Sequence, residues 1–285
     1  MNNATLENSL ILTINCCGAS ASGKTTLSKT LALDFNSPLL PIGIDSFFVP
    51  HETIPTFKFN NNQYWWPNYE IPTSIDYQQF HSSIKLAKKI LESVSITTPK
   101  LIEGMKGVKW NEKFDPTKVL HVNHGGEVRP LIFLFVEGYL SCHDAKIMQE
   151  YDVNIFLNAT HELCLKRRCY RDHNIDIAQY PKSFIDWFDN LVWPFYLCYR
   201  TRQLRHVVQC RRPFLILQSN NDCPNMLPQA KLFIYELVHN KECFSQQFDY
   251  SRNGIKFPEW FSVQYMEQYE QCEKEEELRL LKFHQ

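Results

Sequence analysis

Residues 18–26 read GASASGKTT, a glycine loop of the form G-x-x-x-x-G-K-[ST]. Each position of it has a phosphate chemistry. Gly18 and Gly23 let the backbone fold tightly, so that the amides of Ala19, Ser20, Ala21 and Ser22 can point inward at phosphate oxygens. Lys24 reaches the outer phosphates, and the Thr25 hydroxyl is the type that ligates Mg²⁺. Thr26 falls at the start of the following helix, whose dipole adds to the same field. Such a loop names a phosphate donor. The acceptor has to be read from other residues.

Two carboxylates and their surroundings are candidates for the acceptor. GIDSFFVP places Asp45 at the end of an apolar run, where side chains of parallel sheets face the ligand crevice. There it can take the proton of an acceptor hydroxyl and help hold a metal; a turn aspartate is the plainer reading. Ser46, Phe47 and Phe48 continue the segment, the phenylalanines as pocket wall or core. Within YWWPNYE, Glu70 is a carboxylate suited to sugar hydroxyls, and Tyr69 offers a flat face for a base. Trp65, Trp66 and Tyr69 serve equally well in lid or core packing.

Metal and charge chemistry completes the set. FVEGYL ends a third apolar run at Glu137, an acid placed to orient Mg²⁺. LIEG at 101–104 repeats the text without the apolar run, so the role falls to Glu137. LKRRCYRDHN carries Arg167 and Arg171 four residues apart on one helix face, with Arg168 on another. Arginines near a γ-phosphate stabilise the charge spreading over a transferring group. A basic solvated helix is the alternative. Gln218 and Ser219, at the end of the last apolar run, fall near an adenine.

Elements that could hold these residues alternate along the chain. Apolar runs at 9–16, 38–44, 131–136, 152–157 and 213–218 read as strands buried on both faces. Helical periodicity covers 24–34, 76–95, 161–172, 184–206 and 226–240. Strand-then-helix alternation predicts a five-stranded parallel sheet flanked by helices, with a helical lid. The kinase domain then spans 9–240. Residues 96–130 read as a surface insertion, and 241–285 as a helical tail with a charged end whose partner, if any, is unknown.

Composition narrows the class. With 285 residues and 44% hydrophobic content, the chain can bury a sizeable core. A net charge of -1 gives no footprint for nucleic acid. The longest apolar runs are far short of a membrane span, and SLILTINCC reads as a strand feeding the loop, not as a signal peptide. Ten cysteines without CxxC or zinc spacing suggest reduced thiols, in the cytosol or the nucleus. The N-x-T triplets at Asn3 and Asn158 are then chance. No guanine-reading N-K-x-D is present, and the length suits a small kinase better than a large ATPase.

GASASGKTT, IDSFF, NYEIPTSIDYQQF, VEGYL, KRRCYRD and FDNLVWPFYLCYR occur in an order similar to that of nicotinamide riboside kinases. The resemblance spans roughly residues 9–240. It implies an ATP- and Mg²⁺-dependent phosphorylation of a nucleoside ribose 5′-hydroxyl, with nicotinamide riboside as the family substrate. It makes Asp45 and Lys24 the catalytic pair, and Thr25, Asp45 and Glu137 the metal ligands. Tyr69 then faces the base, Glu70 binds the ribose, Arg168 stands on the substrate side, and Arg167 and Arg171 lie near ATP. His173 occupies the place of a second stacking aromatic, and Asp176 that of a further ribose contact. Asp45-Ser46-Phe47 departs from the family's usual D-D-F and has the spelling of uridine–cytidine kinases. Those kinases are one alternative; a nucleotide-binding regulator without turnover is another.

Overall fold

The computed structural model describes residues 6–58, 65–95, 97–173, 181–219, 223–240 and 255–283. In chain order the first half comprises β1 (Leu10–Gly18), α1 (Lys24–Asp34), β2 (Ile42–Gly43), the hairpin β3 (Thr56–Lys58) and β4 (Trp65–Pro67), α2 (Tyr77–Leu91) and α3 (Thr98–Leu101). Next come β5 (Leu120–His124), β6 (Glu127–Gly138), β7 (Val153–Asn158), α4 (His161–His173), α5 (Lys182–Trp187), α6 (Trp193–Gln209), β8 (Phe214–Gln218), α7 (Cys223–His239) and α8 (Met266–Phe283).

Five strands run parallel in the order β2-β6-β1-β7-β8. The α/β P-loop arrangement expected from the sequence is therefore present, with one addition. β5 pairs antiparallel with the first half of β6, so the sheet has six strands. The two-residue Gly125-Gly126 turn makes this hairpin, both glycines taking positive φ (64° and 89°).

Burial explains the apolar runs. The last eight residues of β6 are all buried, as are the last seven of β1. Helices α1 and α7 pack against one another, α1 on β1 and β6, and α7 on β8. The expected strand at 38–44 shrinks to Ile42–Gly43. Pro38 and Pro41 lack the N–H that a ladder needs.

Register aligns the strand ends. Cys16 lies opposite Glu137 across β1 and β6, Gly43 opposite Glu137 across β2 and β6, and Gly18 opposite Leu157 across β1 and β7. The glycine loop, the Asp45 turn and Glu137 therefore leave the sheet at one edge.

Segment 97–130 contributes buried Thr98, Ile102, Val108 and Asn111 beside its hairpin. Asn111 donates to the Ser37 carbonyl at 2.7 Å. The described part of the tail, 255–283, lies on the domain. Trp260 receives the Arg200 guanidinium 4.1 Å from its ring centroid and donates to Asn158 at 3.3 Å. Glu273, 4% exposed, accepts from Arg202 at 3.2 Å and Arg205 at 3.1 Å.

Removing a carboxylate that pairs two largely buried guanidinium groups leaves them uncompensated. Glu273→Ala should therefore lower the unfolding free energy by about 3 kcal/mol. Urea denaturation measures this; a loss below about 0.5 kcal/mol, the range of an ordinary surface change, would show that the tail is not held by this ion pair.

Candidate active site

The strand ends converge on a cleft of about 540 Å³. Its lining includes the loop residues Ser20, Ala21, Gly23, Lys24, Thr25 and Thr26 together with Arg167 and Arg171. Asp45, Phe48, Tyr69, Glu70, Tyr139, Arg168 and Trp187 line the rest.

Close packing dictates the loop's first glycine. A Cβ at Gly18 would stand 2.7 Å from the Leu157 carbonyl oxygen, at a φ of 154°. Ala19 and Ser22 are buried beneath the loop, and Ser22 N–H donates to Ala19 O at 3.1 Å. Gly23 caps α1 at a φ of 100°. Lys24 is buried and donates to the Ala19 carbonyl at 3.4 Å. Its ammonium thus stays against the loop.

Thr25 Oγ1 donates to Glu137 Oε1 at 3.1 Å. Burial raises the Glu137 carboxyl above its ordinary range; Lys24 draws it back down, and the Asp45 charge adds to the rise. Among the described residues no group of three or more His, Cys, Asp or Glu could hold a metal ion. One hydroxyl and two carboxylates fit Mg²⁺, which takes one or two carboxylates and fills its remaining positions with phosphate oxygens and water.

Asp45 sits in the first turn of a 3₁₀ segment, Ile44–Phe47, directly after β2. The 3₁₀ turn sets Asp45 on the cleft and Phe47 in the core. Phe47 is fully buried, with its ring 5.1 Å from that of Phe80. Ser46 is exposed and outside the lining. Phe48 returns to the cleft, meeting the Tyr69 ring edge-on at 4.8 Å and 74°.

Glu70 is buried, and its backbone N–H donates to Asn68 Oδ1 at 2.9 Å. Loss of water raises its carboxyl to about 7, with Arg168 opposing the shift and the Asp45 charge adding to it. Tyr139 donates its hydroxyl to the Tyr69 carbonyl. The sequence pattern points to neither Tyr139 nor Trp187. Tyr139 stands two residues past Glu137 in FVEGYL, just beyond the end of β6, and lines the cleft, whereas Glu137 is outside the lining.

The arginines are tethered. Arg167 Nη1 donates to Ser22 O at 3.0 Å and to Ser219 Oγ at 2.8 Å. Ser219 is buried and also donates to Ser22 O at 2.7 Å. It therefore braces an arginine and the loop together. Gln218 is exposed and accepts from Asn158 at 2.8 Å. Arg168 Nη1 donates to Ser20 Oγ at 2.5 Å, Nε donates to Asp172 at 2.7 Å, and the guanidinium lies 5.1 Å from the Trp187 centroid. Arg171 is half exposed and paired with Asp172 at 2.8 Å. The side chain of His173 and all of Asp176 lie outside the described residues.

Trp187 ends α5 where the helix widens into a single π turn, Phe188–Val192, before α6. Such turns interrupt long helices and are frequent at functional sites.

Comparison with known proteins agrees with this geometry. Residues 13–175 match the family described as phosphoribulokinase / uridine kinase. A nicotinamide riboside kinase of Saccharomyces cerevisiae is 24% identical over 65% of this chain and 76% of its own length. Nicotinamide riboside kinase 1 of Homo sapiens is 26% identical over 66% and 75%. A uridine kinase of Schizosaccharomyces pombe is 25% identical over 68% of this chain. The match spans only 38% of that protein's length.

A carboxyl with a pKa raised to about 7 is mostly protonated below neutrality and ionised above it. Affinity for a ligand whose ribose hydroxyls donate to this carboxylate should therefore rise about tenfold between pH 6 and pH 8. Calorimetric titration measures it, and Glu70→Gln should abolish the pH dependence. An unchanged pH profile in that variant would remove Glu70 from the ligand site.

Proposed function

The chain belongs to the phosphoribulokinase/uridine kinase family, and we propose that it transfers the γ-phosphoryl group of ATP to the 5′-hydroxyl of nicotinamide riboside. The products are nicotinamide mononucleotide and ADP, a step of NAD salvage; nicotinic acid riboside is a second acceptor. The observation that carries the choice of acceptor is the wall formed by Phe48, Tyr69 and Tyr139 beside Glu70. A pyridinium ring carries positive charge and is attracted to aromatic faces. A uracil reader needs donors and acceptors matched to the base edge, and no Asn or Gln lines the cleft among the described residues.

The chain's own groups divide the reaction between them. The loop amides and Lys24 hold the donor phosphates in line with the acceptor. Glu70 takes the ribose hydroxyls and fixes the 5′-carbon toward the donor. Asp45 accepts the proton that the 5′-hydroxyl loses as its oxygen bonds to phosphorus and the ADP oxygen departs. Arg167, Arg168 and Arg171 spread the charge of the transferring group. Thr25, Asp45 and Glu137 would hold Mg²⁺, which when bound neutralises charge between the β- and γ-phosphates. The free thiols of Cys16, Cys17, Cys142, Cys164, Cys198 and Cys210 suit a reducing compartment such as the cytosol. No helix among the described residues is long and apolar enough to cross a membrane.

Asp45-Ser46-Phe47 favours a second reading, a uridine–cytidine kinase, since serine stands where riboside kinases usually have a second aspartate. Incubation with Mg-ATP and each of nicotinamide riboside, nicotinic acid riboside, uridine and cytidine separates the readings by ADP release. Nicotinamide riboside should give the highest kcat/KM, by at least about tenfold over uridine, the factor equivalent to 1.4 kcal/mol. Preference for uridine would overturn the acceptor assignment. Nucleotide binding without turnover on any acceptor would make the chain a regulator.

A further inference from the structure

Tyr69 is half buried in the cleft wall, yet it is fixed from several directions. Its hydroxyl lies 2.5 Å from His51 Nδ1. The two rings are nearly parallel, 26° apart with centroids 6.1 Å apart. Its carbonyl accepts from both Ser74 Oγ, at 2.9 Å, and Tyr139 Oη. Phe48 closes against the ring edge-on. Ser74 and Tyr139 hold the backbone only. A tyrosine with a fixed backbone still turns about χ1 and χ2, and the hydroxyl is the one polar handle that stops it. His51 grips that handle.

His51 itself is exposed, belongs to a short 3₁₀ turn (His51–Thr53), and does not line the cleft. It lies within six residues of Asp45, so one segment carries both the group facing the acceptor hydroxyl and the group setting the base platform.

We propose that His51 is a positioning residue for the acceptor, holding the Tyr69 ring through its hydroxyl so that its face is presented ready-made to the base. The proposal rests on the reading of Tyr69 as the base-facing wall. It deepens that reading by placing part of the acceptor's affinity outside the cleft. A pre-set ring spares the ordering cost that a free one incurs when a ligand binds. The contribution therefore falls on acceptor binding and leaves the donor side and the chemical step unchanged.

A double-mutant cycle tests this on the full-length chain, with acceptor affinity read by calorimetry and KM and kcat read by ADP release. His51→Ala should weaken acceptor binding about fivefold, the worth of one hydrogen bond, with kcat, ATP KM and thermal midpoint unchanged. Tyr69→Phe, which keeps the ring and removes the handle, should cost the same. The double variant should be no worse than either single one, because the two residues act through one contact. His51→Asn, whose amide oxygen reaches roughly where Nδ1 lies, should restore most of the affinity. An undiminished effect of His51→Ala in the Tyr69→Phe background would overturn the proposal. So would equal losses in ATP and acceptor KM. Running every variant with both nicotinamide riboside and uridine keeps the two claims apart. Uridine preference with the cycle intact overturns only the acceptor assignment. Absence of binding by either nucleoside overturns both.

Discussion

The parallel register of β1 and β6 is the constraint on which the rest of the site depends. Setting Cys16 opposite Glu137 brings the end of one strand, where the phosphate loop begins, beside the end of the other, where the acid stands. A slip of one residue would turn Glu137 to the opposite face of the sheet and break its 3.1 Å contact with Thr25. Apart from Leu10 and Ile11, the paired run is buried, so the register is over-determined by packing. The same burial raises the carboxyl of Glu137 and holds Lys24 out of water beside it. Charge is kept at this edge because the two groups stabilise each other.

The Tyr69–Glu70 side of the cleft is assembled differently. It does not come from the sheet but from the segment after β2, which runs through Asp45, Phe48 and His51 and returns through the β3–β4 hairpin to Tyr69 and Glu70. Phe57 of the hairpin meets Phe195 of α6 edge-on at 5.5 Å. Gln203, on the same helix and fully buried, donates to the Tyr139 carbonyl at 2.9 Å and accepts from the Cys142 N–H at 3.3 Å. Helix α6 thus props both the hairpin and the turn after Glu137, while its N-terminal continuation carries Trp187 against Arg168. The tail helix α8 in turn braces α6 through Glu273. A single long helix and its N-terminal continuation thus touch supports on both sides of the cleft.

Much of this arrangement is legible in the sequence, for identifiable reasons. The loop shows itself because its chemistry demands glycine and lysine at fixed offsets, and the five parallel strands because burial on both faces makes apolar runs. Helix α1 begins and ends where its periodicity predicts, at Lys24 and Asp34. Other features carry weaker local signals. The short β3–β4 hairpin lies in an aromatic stretch with no alternation. The strand at 120–124 is largely exposed, and its one clear mark is the two-glycine turn that follows it. Phe47 and Phe48 are adjacent and chemically alike. Only the 3₁₀ turn decides that one enters the core and the other faces the cleft. Ser219 reads as an adenine neighbour by strand position, and its buried bonds to Arg167 and Ser22 depend on tertiary contacts that no spacing encodes.

The central claim is that Asp45 stands between the two halves as the group that takes the acceptor proton. Single-turnover phosphoryl transfer by Asp45→Asn, followed beside equilibrium binding of ATP and of the nucleoside, tests it most directly. Both ligands should bind within about threefold of the wild-type affinities while transfer slows by at least about a hundredfold, the lower end for losing a general base. Transfer at a near wild-type rate would contradict it.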